Sequence, residues 1–261
     1  MPELPDVAGF RRFFDTHAAG GRVQRVTAPD AAVIRNTSPQ GLGRALHGRR
    51  LAEARRHGKW LIAPTDDGPS VVFHFAMTGL LDWADAGGER HEHDRVVFVL
   101  DAGELRYRAM RKLGGVWLAR GDDDIPAITG PLGPDALSLG RDRFSDLLSG
   151  RRGGVKSALM DQSLLAGAGN LVADEALWQA HTHPARSVAD LSEAELAGLH
   201  DALQRVLEAS VEAGHVPGKP SWLTHARDAD DPTCPRCDSA LRRDKVAGRS
   251  TWWCPTCQPQ P

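Results

Sequence analysis

The chain has 261 residues, 41% of them hydrophobic and 25% charged, and a formal net charge of −2 at pH 7. That length accommodates two modest domains, and the composition is that of an ordinary globular protein, not a disordered or fibrous one. No apolar run approaches the roughly 18 residues that span a bilayer. The opening MPELPDVAGFRRFF also lacks the basic start and apolar stretch of a secretory signal, so a cytoplasmic protein without membrane association is expected. At this charge balance a nucleic-acid binder must gather its cations on one face. Four groups qualify: Arg55, Arg56 and Lys59; Arg106, Arg108, Arg111 and Lys112; Arg151, Arg152 and Lys156; Arg242, Arg243, Lys245 and Arg249. Taken singly, each such group reads as solvated surface.

In chain order, LPDVAGFRRFFDTHAAGG places Val7, Phe10 and Phe14 at helical spacing and stops at Gly20 and Gly21. From Arg22 to Arg120 the segments are short, partly alternating and β-branched, with Asp/Gly-rich turns between them, which predicts an antiparallel β domain capped by one helix. Residues 130–138, GPLGPDALS, read as a linker. Helices follow. Two short ones between Val155 and Ala180 flank AGAGN, a tight connection whose amides are free to point outward. A longer one begins at a capping box of Ser192 and Glu195, with Leu191 and Leu196 as its hydrophobic staple. It carries Leu199, Leu203 and Leu207 on one face and ends at Gly214.

Near the C-terminus, Cys234-Pro-Arg-Cys237 and Cys254-Pro-Thr-Cys257 are separated by 16 residues. Two CxxC pairs at such spacing converge four thiolates on one tetrahedral metal. Two disulfides, or a redox pair, are the alternatives, and they suit a cytoplasmic chain poorly. Four protein ligands leave no open coordination position, so one structural zinc ion is expected. The intervening LRRDKVAGRSTWW is basic and aromatic, as a small hairpin laid against phosphates would be. Zinc ribbons also bind proteins, so this feature does not settle the partner.

Taken together, PELPDV, Lys59 in a basic turn, HFAMTG, LGPDALS, KSALMDQ, AGAGNLVADEALW and GRSTWWCPTCQ resemble the formamidopyrimidine-DNA glycosylase/endonuclease VIII family, in order and over essentially the whole chain. The resemblance implies an α+β protein. An N-terminal antiparallel β-sandwich catalytic domain with a capping helix (1–130) would precede a helix–two-turn–helix DNA-binding domain (131–222) and a zinc finger (223–261). It also implies bifunctional glycosylase and lyase activity on damaged double-stranded DNA, with no nucleotide cofactor and a monomeric state.

Within that resemblance Pro2 becomes the nucleophile once the initiator methionine is removed. An α-amino group has a pKa near roughly 8, so an appreciable fraction of the amine is neutral near pH 7. Attack on the sugar C1′ displaces the base and leaves an iminium, which permits elimination of the adjacent phosphates. Glu3 matches the family's general acid/base. Lys59 matches the turn lysine that contacts phosphate beside the lesion. Lys156 and Asn170 match the phosphate-holding residues of the helix–two-turn–helix region and Arg249 matches the zinc-finger arginine; His74 is a candidate for a further phosphate contact, with a structural histidine of the β-rich segment as the alternative. Such contacts fix register without reading sequence. Base chemistry requires the nucleotide to be flipped out and the gap filled, and Met77, Arg111 and Leu113 align with the void-filling residues.

Three departures mark a divergent member. The family's proline-arginine-arginine-phenylalanine stretch reads Met110-Arg111-Lys112-Leu113, Val172 stands two residues after Asn170 where a tyrosine is usual, and Ala8 occupies an acidic position. The segment between Gly214 and Cys234 is also shorter than the lesion-capping loop of the formamidopyrimidine enzymes. The expectation is a preference for oxidised pyrimidines, ring-opened purines, abasic sites or bulkier adducts. The competing readings are an abasic-site lyase with little glycosylase activity, a catalytically silent damage binder and a zinc-ribbon protein-interaction module.

Overall fold

Helix α1 (Leu4–His17) buries Val7 and Phe14 and half-buries Phe10, the positions picked out by helical spacing, and the chain leaves it through Gly20, whose φ of +81° favours glycine. The computed structural model describes residues 1–66 and 68–260. These form two units, Met1–Pro2 with Asp6–Pro131 and Glu3–Pro5 with Leu132–Pro261.

The first unit continues with β1 (Val23–Thr27), α2 (Pro39–Leu46), β2 (Arg55–His57), β3 (Trp60–Pro64), β4 (Ser70–His74), β5 (Gly79–Ala84), β6 (Asp94–Leu100), β7 (Glu104–Ala109), β8 (Gly115–Ala119) and α3 (Asp124–Thr129). The strands make two four-stranded antiparallel sheets, ordered β1-β6-β7-β5 and β2-β3-β4-β8. Their inner faces share one core in which Phe73 of β4 lies 5.8 Å from Phe98 of β6 and 6.1 Å from Tyr107 of β7. Such aromatic contacts between sheets add to the area term that drives the sandwich together.

Two features differ from the sequence reading. Helix α2 interrupts what was read as strands: it is short and carries Gly41 and Gly43, but it buries Leu42 and Leu46 one turn apart; the Ser38 side chain caps it by accepting from Gly41 N, and Pro39 opens it. Arg106 and Arg108 are not surface cations. Arg106 is buried against Glu104 (2.7 Å) and Asp94 (3.4 Å), and Arg108 pairs with Asp94 and Asp82, both at 2.7 Å.

The second unit contains α4 (Arg141–Leu148), α5 (Val155–Met160), α6 (Asn170–Gln179) and α7 (Glu193–Ala213). Leu4 is buried with Leu159, Val172, Leu199 and Leu203 in its core. The capping box at Ser192 and Glu195 forms, and Gly214 ends α7 with φ +77°. The segment read as a linker is stitched down: Ala136 N donates to Ala166 O (2.9 Å) and Ala166 N to Pro134 O (3.0 Å). A hairpin of β9 (Arg242–Val246) and β10 (Arg249–Trp253) turns through Ala247 and Gly248, both at positive φ as a type I′ turn requires. Among the described residues no helix is long and apolar enough to cross a membrane.

Candidate active site and nucleic-acid interface

The AGAGN connection delivers the N-terminus of α6 to Glu3. Leu171 N donates to Glu3 Oε1 (2.8 Å) and Val172 N to Oε2 (3.2 Å), so both carboxylate oxygens sit on amides that open a helix and have no intrahelical acceptor. Glu3 is only 1% exposed. The glycines make this approach possible. A Cβ on Gly169 would lie 2.2 Å from Glu3 Cδ, and one on Gly167, at φ +118°, would lie 2.4 Å from Leu4 Cδ1. Leu4 N in turn donates to Gly167 O at 3.1 Å. The first residues of the chain are thus clamped by backbone groups on either side of Glu3, and Pro2, partly exposed, is bonded directly to it.

Behind Glu3 lies a buried polar layer. Lys156 is 0% exposed; its Nζ is 2.5 Å from Asp174 Oδ1 and donates to Thr251 Oγ1 at 2.6 Å. Asp174 Oδ2 accepts from Trp252 N (3.5 Å) and lies 3.7 Å from Arg227 Nη1. Burial pushes the Asp174 carboxyl up and the Lys156 ammonium down, against their mutual attraction. This corrects the sequence expectation for Lys156: its ammonium is sealed inside the pair and presents no surface to a phosphate. It joins α5, α6 and β10 instead. Asn170 Nδ2 donates to Ser250 O at 3.1 Å, a second tie from α6 to the hairpin, while its Oδ1 is buried without a partner. Arg249 stands exposed at the start of β10.

The ligand atoms of Cys234, Cys237, Cys254 and Cys257 all lie within 4.8 Å of one another, with Sγ–Sγ distances of 3.5 Å from Cys237 to Cys254 and Cys257 and 3.8 Å from Cys234 to Cys257. Thiolates about 2.3 Å from a tetrahedral zinc are separated by about 3.8 Å, so the donor set fits one ion. Trp178 Nε1 donates to Cys234 Sγ (3.4 Å) and Cys257 N to Cys254 Sγ (3.3 Å), which orients the sulfurs and offsets their charge. The four cysteines hold a single structural zinc.

In the first unit the predicted residues fall on neighbouring loops. His74 ends β4, and Lys59 begins the return into β3, whose Trp60 pairs with His74. Burial, aided by the Lys59 charge, pulls the His74 imidazole down to about 4, so it is neutral at pH 7. Gly79 and Ala109 pair at the ends of β5 and β7, bringing together the loops that precede and follow them. Arg111 Nη1 contacts Met77 Sδ at 3.2 Å, and Arg111 N donates to Thr78 Oγ1 at 3.0 Å. Met77, Met110 and Leu113 are 42%, 54% and 57% exposed; with Met1 they are the exposed large hydrophobic side chains among the described residues. Arg35 braces this tip by donating from Nε and Nη2 to Gly114 O (3.2 and 2.5 Å) and from Nη2 to Lys112 O (2.9 Å).

Sequence reasoning did not single out Asp174 or Arg35, and it marked Met110 only as the start of the stretch that departs from the family's pattern. For Asp174 a signal existed, an acid in the same motif as Asn170. Arg35 and Met110 carry none that periodicity or spacing detects.

Three family models match the chain: the formamidopyrimidine-DNA glycosylase N-terminal domain over residues 1–116, the H2TH domain of the same glycosylase over 132–218, and a zinc finger found in FPG and IleRS over 232–260. Formamidopyrimidine-DNA glycosylase of Parafrankia sp. (strain EAN1pec) is 34% identical, with 100% of this chain and 99% of that protein aligned. That of Symbiobacterium thermophilum is 36% identical over 100% of this chain and 90% of its own. A Lactococcus lactis FPG mutant in complex with Fapy-dG-containing DNA superposes with a TM-score of 0.91 at 27% identity, covering 99% of this chain and 100% of that one. The Lactococcus lactis glycosylase bound non-covalently to DNA with an AP site gives 0.88 at 28% identity, with the same coverage. Matched from end to end in sequence and in fold, the chain belongs to the formamidopyrimidine-DNA glycosylase family.

Proposed function

We propose that the protein is a base-excision-repair DNA glycosylase with abasic-site lyase activity, acting on damaged duplex DNA as a cytoplasmic monomer without a nucleotide cofactor. The observation that carries the reading is Glu3, held by the amides of Leu171 and Val172 and bonded to Pro2. After removal of Met1, the neutral Pro2 amine attacks C1′ of the flipped nucleotide, the C1′–N bond breaks and the base leaves with a proton; cleavage of the C1′–O4′ bond, with a proton passing to O4′, then opens the sugar. The resulting iminium accepts the electrons of the C2′–H bond as the 3′ phosphate is eliminated, and the 5′ phosphate follows. Glu3, fixed by both oxygens, moves protons on the opened sugar. Fixing a catalytic group in advance removes the entropy of finding its position.

Lys59, Asn170 and Arg249 hold phosphates, with His74 contributing as a neutral hydrogen-bonding group, and Met77, Arg111 and Leu113 fill the gap left by the flipped nucleotide. Zinc, when bound, fastens the hairpin that carries Arg249. A cavity of about 490 Å³ lined by Leu171, Val216, Thr224, His225 and Asp228 lies beside the amides that hold Glu3. It takes the extruded base, and its mixed donors and acceptors suit oxidised or ring-opened bases. Excision assays on duplexes carrying 8-oxoguanine, a formamidopyrimidine, thymine glycol or an abasic site test the reading. Activity with wild type, lost in Pro2→Gly and Glu3→Gln, supports it; binding without excision or strand cleavage on any of the four overturns it.

A further inference from the structure

A soluble surface seldom leaves large apolar side chains bare in one place unless a partner covers them. Here Met77, Met110 and Leu113, three of the four such side chains among the described residues, lie on two loops joined at their strand ends, with Arg111 in contact with Met77. Met77 precedes β5 by two residues and Met110 directly follows β7, at strand ends joined by the Gly79–Ala109 pair. The tip is also braced before any partner arrives. Lys112 is fixed at φ +53° with its ammonium on Asp30, Arg35 bonds the carbonyls of Lys112 and Gly114, and Tyr107 Oη donates to His74 O at 2.9 Å. A Cβ on Gly114 would fall 2.2 Å from that same His74 oxygen, so the loop packs hard on β4. Because little ordering remains to be done on binding, the apolar contacts of the tip convert efficiently into affinity.

We propose that Met110 is a further duplex-inserting residue, whose thioether side chain enters the base stack beside the flipped nucleotide with Met77, Arg111 and Leu113. The inference rests on the glycosylase reading and deepens it. Met110 has no buried packing to serve, and its flexible, polarisable side chain fits irregular gaps. An opened base step offers such a gap, flanked by apolar ring faces. The side chain carries no strong donor or acceptor and so contributes opening without reading the neighbouring base, which leaves Arg111 as the hydrogen-bonding member of the tip.

The test uses the full-length zinc-loaded protein and a duplex carrying a reduced abasic analogue, with 2-aminopurine in the opposite strand beside it. Met110→Ala is expected to keep the wild-type thermal midpoint, because the side chain is exposed. It should weaken binding about tenfold, equivalent to about 1.4 kcal/mol, and lose most of the fluorescence rise that reports unstacking. Met110→Leu should restore both. Wild-type affinity and fluorescence in Met110→Ala would overturn the proposal, as would equal losses in Met110→Leu. Borohydride trapping of the unmodified protein reads the Pro2 chemistry separately, so failure of the glycosylase reading and failure of the wedge assignment give different results.

Discussion

Replacing Gly169 with alanine isolates the contact on which the site turns. The backbone at Gly169 has φ −123° and ψ −160°, extended values open to any residue, so the substitution introduces no backbone strain. The new Cβ, however, would stand 2.2 Å from Glu3 Cδ, 2.5 Å from Oε1 and 2.6 Å from Cγ. Ordinary contact begins near 3.4 Å, so the carboxylate must retreat by more than 1 Å. Its hydrogen bonds to Leu171 N and Val172 N, at 2.8 and 3.2 Å, cannot both survive that displacement. Hydrogen bonds to a charged group contribute about 1.5–3 kcal/mol each, and a misplacement of about 1 Å in a catalytic constellation slows a reaction about 100-fold. Single-turnover excision on a lesion duplex should therefore fall by about two orders of magnitude in Gly169→Ala. Gly153→Ala, whose Cβ meets nothing within 4 Å, is the control and should retain the wild-type rate. A Gly169→Ala protein excising at the wild-type rate would show that the amide clamp on Glu3 has no part in the chemistry.

Removing one member of a buried ion pair strands the other, at a cost of about 3–5 kcal/mol. Lys156→Ala should destabilise the second unit by about that amount in denaturant unfolding, and Lys156→Met with Asp174→Leu should recover most of it. Chelating zinc should unfold the hairpin, which tryptophan fluorescence reports through Trp252 and Trp253, and abolish tight duplex binding while the β-sheet circular dichroism persists. His74, ordinarily near 6.5, is held down to about 4. The unfolded chain therefore binds the extra proton first, and the stability contributed by the neutral ring is complete above about 6.5 and declines as the pH falls toward 4. His74→Gln should flatten that part of the acid unfolding profile, and an unchanged profile would contradict the assignment.

Local signals in the sequence carried far. The Ser192–Glu195 capping box, the Gly214 stop and the paired CxxC motifs each act over a few residues or at a fixed spacing, and each forms as its spacing dictates. What stayed hidden depends on partners distant in the chain. Arg106 reads as one of a run of cations until the sheet places Asp94 beside it, and Lys156 reads as a surface lysine until the fold puts Asp174 and Thr251 around it. Helix α2 escaped because it is only eight residues long and carries two glycines, although Leu42 and Leu46 stand at helical spacing. Pro2 and Glu3 were legible only through resemblance. No periodicity announces that an acid three residues from the start will meet the amides of residues 171 and 172.

The central claim is that the amine of Pro2 forms a covalent intermediate with damaged DNA. Borohydride reduction of the zinc-loaded protein on a duplex with an abasic site, followed by peptide mapping, tests it directly. The account predicts a stable adduct on Pro2 of a chain lacking Met1, absent from Pro2→Gly. Tight, salt-sensitive binding of the same duplex with no adduct, or an adduct mapped to a lysine, would contradict it.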